Sequence, residues 1–569
     1  MRYHVLATDY DGTLATHGAV DEETLQALER LRLSGRRLVM VTGRELNDLA
    51  AVFPRLDLFE RIVAENGALL YCPATREERA LGEAPPDEFV AVLRRQDIPV
   101  SVGRVIVATW EPHETAVLEA IRDLGLELQV IFNKGAVMVL PSGINKATGL
   151  RIALDELGLS LRNCVGVGDA ENDHAFLSDC EFGVAVANAL ESTHAHADWS
   201  TQADHGAGVR ELIDALLADD LQSLAPRLDR RDIPLGNFAD GAAVRVRPYG
   251  EHLLIAGTSG SGKSTLAAAF LEQLSERGYH CCIIDPEGDY AGLEGALVLG
   301  DAAGAPGIDE VLTALEQPGM KVVVNLVELT FQNRPAYFDR LLPRLQDLCL
   351  RTGRPHWFLI DEAHHLLPPE RGAAAVALAR DLPSVLWITV HPDRVAPTML
   401  ERIDRLLIIG QKPGHTLGLF AAAIGVRAPD VADRALAPGE ALLWDVRGAG
   451  PALHFTAQPP RVLQRRHKRK YAQGDLGSDA SFYFQGPEQR LNLRANNLAA
   501  FLQIGEGVDD ETWEYHLRRG DYSDWFGASI KDPQLAEAVR QVESDARLAP
   551  VESRARIRAL IDARYTGAA

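Results

Sequence analysis

Short apolar strands that end in acidic or glycine-rich turns, followed by helical periodicity, predict an α/β protein built from several units. Three stretches carry this prediction. Leu253 to Ala256 runs into Gly257-Thr258-Ser259-Gly260-Ser261-Gly262-Lys263-Ser264-Thr265, Tyr3 to Thr8 ends in Asp9-Tyr10-Asp11-Gly12-Thr13, and Trp357 to Ile360 ends in Asp361-Glu362. The 569 residues exceed what one core organises; at about 150 residues per domain they suggest three or four units. An apolar content of 46% permits well-filled cores. The formal net charge of −22 argues against coating nucleic acid over the whole surface, while leaving room for a local basic patch. Six cysteines without C-x-x-C pairs point to reduced thiols rather than a zinc site or a disulfide framework. The chain opens on a strand pattern rather than a basic-then-apolar leader, and no apolar run approaches about 18 residues, so a soluble, cytoplasmic protein with no membrane partner is expected.

Asp9 and Asp11 stand two apart at a strand's carboxyl end, where like charges repel and a bound cation would relieve them. A second apolar strand, Arg37 to Val41, ends in Thr42-Gly43-Arg44; Ala64-Glu65-Asn66-Gly67-Ala68 follows a third. Lys146 closes Gly143-Ile144-Asn145-Lys146, and Val165 to Asp173 reads Val-Gly-Val-Gly-Asp-Ala-Glu-Asn-Asp. In this order the set resembles the haloacid-dehalogenase-like (HAD) phosphatases, in the Cof-like branch whose cap is inserted between the second and third motifs. The resemblance implies a Rossmann-like core and metal-assisted phosphoryl transfer. Asp9 would attack phosphorus and become an aspartyl phosphate, while Asp11 would protonate the leaving oxygen and then deprotonate the hydrolytic water. Asp169, Asp9 and the carbonyl of Asp11 would hold Mg²⁺ with Asp173 in support, and Thr42 and Lys146 would neutralise the equatorial oxygens.

Between about 81 and 141 a segment interrupts these motifs. Its pattern reads helix (Asp87 to Gln96), strand (Val100 to Trp110), helix (Glu114 to Leu124) and strands near Leu128 to Phe132 and Ala136 to Leu140, which fits a small α/β cap. Arg104, Trp110 and Asn133 are the cap residues that could face a substrate, against the plainer reading of a solvated face. Asp219 to Gly241 lacks a clear apolar period and reads as a linker between a phosphatase unit at 1–218 and the next unit at 242–460.

Gly257 to Ser264 fits G-x-x-x-x-G-K-[ST], in which Gly257, Gly260 and Gly262 let backbone N–H groups curl around phosphates, Lys263 supplies mobile charge, and Ser264, beside Thr265, offers a hydroxyl to Mg²⁺. The strand before it and the period of Leu266, Phe270, Leu271 and Leu274 after it give the strand–loop–helix context of a P-loop. Asp361 would hold Mg²⁺ through its shell, and Glu362 would orient the attacking water, unless the pair serves as a helix cap. Tyr279 to Ile284 forms another strand and ends in Asp285-Pro286-Glu287-Gly288-Asp289-Tyr290. That string resembles the strand end of the HerA/FtsK group of ring-forming DNA motors, which implies a RecA-like ATPase domain, ATP and Mg²⁺ as cofactors, and a homo-oligomeric ring such as a hexamer. His391, at the end of the strand Leu386 to Val390, stands where that group usually has a glutamine; this departure puts hydrolysis rate and DNA coupling in doubt. Arg380, Arg402 and Arg405 are candidates for an arginine donated to a neighbouring subunit, or else surface ion-pair partners.

Arg461 to Lys470 carries six Lys/Arg and one His, as a solvated linker or a phosphate contact. Beyond it, 461–569 is expected to hold an aromatic strand at Ser481 to Pro487 and helices at Leu491 to Ile504, Glu511 to Leu517, Gln534 to Ala546 and Ser553 to Arg564, a small mainly helical module. The leading expectation is a fused Mg²⁺-dependent phosphatase and ATPase, with phosphomonoester hydrolysis coupled to or gated by ATP hydrolysis, acting on a phosphorylated substrate and, in DNA processing or defence, on DNA ends or nucleotides. Two alternatives are end healing of the polynucleotide kinase-phosphatase kind and a nucleotide-gated scaffold controlling a sugar or metabolite phosphatase.

Overall fold

The computed structural model describes residues 1–133, 135–369, 382–448, 450–461, 476, 481–530 and 532–566. Two compact units result: Met1–Pro286 with Gly295–Arg461, and Glu287–Glu294 with the described part of Val462–Ala569. No helix among the described residues is long and apolar enough to cross a membrane.

The first unit opens with β1 (Val5–Thr8), β2 (Arg37–Val41), β3 (Arg61–Ala64), β4 (Leu69–Cys72) and β5 (Glu77–Ala80). The cap contributes β6 (Ser101–Val102), β7 (Val107–Trp110), β8 (Leu128–Asn133) and β9 (Ala136–Pro141), and the chain then returns through β10 (Cys164–Gly168), β11 (Phe182–Ala185) and β12 (Trp199–Ser200). Outside the cap these strands form one sheet, ordered β12-β11-β10-β1-β2-β3-β4-β5, parallel from β12 to β3 and closed by two antiparallel strands. Both faces of its central strands are covered, which explains their continuous apolar sequence. The cap is a four-stranded antiparallel sheet, β6-β7-β9-β8, backed by helices Asp87–Arg95 and Glu114–Asp123.

Here the cap departs from expectation. Val100 to Trp110 is a hairpin rather than one strand, broken by a turn at 103–106. The Glu65 carboxylate accepts hydrogen bonds from the backbone N–H groups of Arg104 (2.8 Å), Val105 (2.8 Å) and Ile106 (3.0 Å), so a core residue far away in sequence supplies the partners that the ladder forgoes.

Helix His205–Asp219 leads to β13 (Ile233–Phe238), β14 (Ala243–Val246), β15 (His252–Gly257), β16 (Cys281–Asp285), β17 (Ala296–Leu299), β18 (Lys321–Asn325), β19 (Trp357–Ile360), β20 (Val385–Thr389), β21 (Arg405–Ile409), β22 (Glu440–Asp445) and β23 (Leu453–Ala457). They build one sheet of order β14-β13-β23-β22-β21-β15-β20-β19-β16-β18-β17, parallel from β21 to β17 and antiparallel beyond β21. The stretch expected as a linker is therefore partly strand. Its Pro and Gly conceal the period because the β13–β14 register shifts between Pro234 and Gly236. Arg230 and Arg231 just before it donate to the backbone carbonyls of Ser178 and Cys180.

The second unit packs Phe482, Phe484, Phe501, Trp513, Tyr522, Trp525 and Phe526 into an aromatic core. A hairpin of β24 (Phe482–Phe484) and β25 (Leu493–Ala495) precedes helices Leu498–Gly507, Asp510–Arg519, Asp521–Ala528, Pro533–Ser544 and Pro550–Ile561. The helix expected from Leu491 starts only at Leu498, where Asn497 caps it by accepting the Ala500 N–H at 2.7 Å.

Candidate functional site

Parallel sheets gather function at the carboxyl ends of their strands, and both sheets do so here. In the first, Asp9 follows β1, Thr42 follows β2 and Asp169 follows β10, three neighbouring strands. Asp9, Asp169 and Asp173 are buried, with carboxylate oxygens all within 4.8 Å of one another. Lys146, first residue of helix Lys146–Glu156, is 1% exposed and donates to Asp9 Oδ1 at 2.7 Å and Asp173 Oδ1 at 2.6 Å. Asp173 Oδ2 accepts the N–H groups of Asp169 and Ala170, each at 2.9 Å, and Thr13 Oγ1 donates to Asp169 Oδ1 at 3.0 Å. Sequence-distant motifs thus converge on one charged cluster.

Burial pushes the Asp9 carboxyl up to about 8 despite Lys146, and the like charges of Asp173 and Asp169 add to the rise. Burial would lower the Lys146 ammonium, but Asp173 and Asp9 hold it well above the ordinary lysine range. Three acidic side chains thus crowd around one ammonium. Hard oxygen donors this close suit a small divalent cation such as Mg²⁺. Lys146→Met removes the cluster's resident cation, and breaking a buried pair in this way costs about 3–5 kcal/mol; the lowest-temperature unfolding transition should move down, and phosphatase turnover should vanish.

Asp11 lies outside this cluster. Arg44 grips it in two bonds, Nε to Oδ2 at 2.6 Å and Nη2 to Oδ1 at 2.7 Å, and also reaches Asp48. The Thr42 hydroxyl is buried and accepts the Arg44 N–H at 3.2 Å. Of the cap residues expected near a substrate, Arg104 turns its guanidinium to Glu78 at 2.9 Å, Trp110 is 61% exposed, and Asn133 is half-buried. Met138 on β9 comes nearer to the motifs: its Sδ would lie 3.8 Å from a Cβ at Gly43. Arg44 and Glu65 were missed as functional candidates, although Thr-Gly-Arg and Glu-Asn-Gly flag both turns. Gly67 in the second turn has φ +107°, and a Cβ there would lie 2.0 Å from the Asn145 carbonyl oxygen, so this turn presses against the cap of the Lys146 helix.

The second centre uses β15, β20, β19 and β16, four adjacent strands. β15 enters the loop 257–262, whose Gly260 and Gly262 take φ +69° and +100°, and helix Lys263–Glu276 leaves it with Ser264 and Thr265 in its first turn. Lys263 Nζ donates to the carbonyls of Gly257 (2.9 Å) and Thr258 (3.0 Å). Asp361 follows β19, is buried, and accepts the Glu362 N–H at 2.8 Å; Glu362 itself is left-handed, at φ +42°. Beside it, His364 Nδ1 lies 3.4 Å from Glu362 Oε2 and 3.0 Å from Thr389 Oγ1, which also accepts the His391 N–H at 3.0 Å. Burial, with Arg394 next, lowers the His391 imidazole. Asp285, fully buried, ends β16. Arg405 begins β21, at the amino edge of the sheet and away from the phosphate loop, and pairs with Glu251 at 3.3 Å. Arg380 and the run 462–470 lie outside the described residues.

The family model of haloacid dehalogenase-like hydrolases matches residues 6–105 and 105–213. A phosphoglycolate phosphatase of Methanothermobacter thermautotrophicus is 31% identical over 218 residues, 37% of this chain and 96% of that protein. The chain belongs to the haloacid dehalogenase-like hydrolases. Other similar members are phosphoglycolate phosphatase 2 of Saccharolobus solfataricus, 27% identical over 38% of this chain and 92% of that protein, and the phosphoglycolate phosphatase of Haloarcula marismortui, 31% identical over 37% and 95%. In this hydrolase a second family model, helicase HerA central domain, matches residues 233–338. A HAD-type phosphatase is therefore fused to a HerA-type P-loop ATPase.

Proposed function

We propose that the first unit hydrolyses a small phosphomonoester at Asp9 and that nucleotide at the P-loop gates this reaction. The buried Lys146 held between Asp9 and Asp173, with Asp169 alongside, carries the reading. Asp9, Asp169 and Asp173 would hold Mg²⁺, which supplies charge neutralisation to the transferring phosphoryl group. Asp9 attacks phosphorus and the leaving oxygen departs with a proton from Asp11, after Arg44 releases that carboxyl; Asp11 then takes a proton from the water that cleaves the aspartyl phosphate. Lys146 and Thr42 bind the equatorial oxygens. In the ATPase, the loop 257–265 would bind the phosphates, Ser264 and Asp361 would hold Mg²⁺, Glu362 would align water and His391 would sense the nucleotide.

The names of the relatives favour a small two-carbon phosphate such as 2-phosphoglycolate as substrate. A screen of phosphoglycolate, sugar phosphates, nucleotides and 3′-phosphorylated oligonucleotides, with and without EDTA, tests this. Preferential turnover of the oligonucleotides would overturn the small-substrate reading in favour of DNA ends. The HerA match supports a second reading, work on DNA by a ring of this chain, and duplex DNA that accelerates ATP hydrolysis would favour it.

Metal removal has a signed pH consequence. In the metal-free fold Asp9 keeps its proton up to about 8, whereas in the unfolded chain it loses it near pH 4. The folded state binds the extra proton in that window, so stability is fully present below pH 4 and is lost as pH rises through about 8. The EDTA-treated chain should melt at a lower temperature at pH 9 than at pH 6. Mg²⁺ at a hundred times its Kd should restore about 2.7 kcal/mol.

A further inference from the structure

The two catalytic halves meet through the amino ends of their central strands, and the residues there are buried and polar. Glu181, immediately before β11, has a fully buried carboxylate. It takes a hydrogen bond from Arg2, one from Arg162 at 3.1 Å, and, across the boundary, one from the Tyr279 hydroxyl at 3.0 Å. Asn163, immediately before β10, bonds the ATPase half twice: its Nδ2 donates to the Gly353 carbonyl at 3.2 Å, and its Oδ1 faces His356 Nε2 at 3.0 Å. His356 Nδ1 already accepts the His280 N–H at 2.9 Å, so Nε2 carries the proton and donates to Asn163; burial, first, and then His280 keep this ring neutral. Gly353 has φ +68°, and a Cβ there would lie 2.4 Å from Asn163 Nδ2, so the approach admits only glycine. Arg354 also crosses the boundary, donating to the Gly158 carbonyl at 2.5 Å.

Four of the seam residues lie just ahead of strands that run into an aspartate, while Glu181 precedes β11, which ends at Ala185. Asn163 leads through β10 to Asp169, and Arg2 through β1 to Asp9; His356 leads through β19 to Asp361 and Glu362, and Tyr279 through β16 to Asp285. A five-residue strand spans about 16 Å, so each centre sits that far from the boundary on the opposite edge of its own sheet. No single phosphoryl group reaches both centres. Coupling between them would have to travel as displacement of strands whose amino ends are joined by these buried hydrogen bonds.

The geometry points to this buried polar seam, centred on Asn163–His356 and Glu181–Tyr279, as the element through which nucleotide at the P-loop regulates the phosphatase. This rests on the gating reading proposed above. To the extent that nucleotide acts on substrate binding rather than on turnover, phosphatase substrate changes nucleotide affinity by the same factor.

The test uses the full chain. Hydrolysis of p-nitrophenyl phosphate is followed with no nucleotide, with ADP and with a non-hydrolysable ATP analogue, for wild type, Tyr279→Phe, Asn163→Ala and the double variant. The expected result is a change of threefold or more in wild-type kcat/KM between nucleotide states, reduced in each single variant and absent in the double variant, while rates without nucleotide and nucleotide affinity stay near wild type. Tyr279→Phe keeps the ring packed, so it decides the matter if Asn163→Ala loses both activities. An undiminished nucleotide effect in Tyr279→Phe and in whichever Asn163 variants fold overturns the seam and leaves gating intact. A wild-type rate that ignores nucleotide overturns gating and the seam together.

Discussion

Asp9→Asn lowers phosphatase turnover by about 10³-fold or more and leaves ATP hydrolysis unchanged. The substitution keeps size and shape at a site whose packing tolerates little else. Asp9 is 4% exposed and touches Lys146 at 2.7 Å. An amide cannot be the attacking group, and it brings one negative charge fewer to the cation site formed with Asp169 and Asp173. Loss therefore appears in kcat rather than in substrate binding alone, and Mg²⁺ affinity weakens in parallel. In the metal-free fold Asp9 already keeps its proton below about pH 8, so the uncharged amide should leave the metal-free unfolding temperature at pH 6 near that of wild type. The measurements are steady-state phosphatase kinetics, ATPase turnover on the same preparation and thermal unfolding in EDTA. Wild-type turnover by the variant would move the nucleophile elsewhere.

Glu362→Gln lowers ATP hydrolysis by about 10²-fold or more while nucleotide binding persists. Its left-handed backbone, at φ +42°, is a conformation that costs about 1–3 kcal/mol in a residue with a Cβ, and such strain gathers at functional sites. The surroundings hold it there: Asp361 takes its N–H, while His364 stands between its carboxylate and Thr389. Glutamine fits the same space but cannot polarise water. Binding of a fluorescent ATP analogue alongside turnover separates the two effects; equal losses in both would assign Glu362 to nucleotide binding instead. Because the phosphatase site is built from another sheet, p-nitrophenyl phosphate hydrolysis without nucleotide should be unaffected.

Most of both centres was legible as short contiguous strings. A strand end followed by a tight turn fixes several side chains at once, so Asp9 to Thr13, Val165 to Asp173, Gly257 to Thr265 and Asp361-Glu362 each declare chemistry through neighbours in sequence. Residues that act through distant partners were not legible. Arg44 could be read as part of Thr-Gly-Arg, but its two-bond hold on Asp11 depends on how β1 and β2 lie side by side. Glu65 turned an expected cap strand into a hairpin from about 40 residues away. β13 escaped notice because its period is interrupted at the Pro234–Gly236 register shift, and its pairing partners, β14 and β23, lie on either side of it in the sheet.

Local sequence was thus sufficient for the fold class, the four strings of the two candidate centres and the family of the phosphatase part, because backbone turns and short-range charge impose their demands within a few residues. Folding alone chose the long-range partners. A buried polar group must be bonded to something, but its sequence neighbours do not say to what. For Asn163 the partners are Gly353 and His356, and for Glu181 they include Tyr279. Those pairings join two separately recognisable halves at the roots of the strands that carry their chemistry.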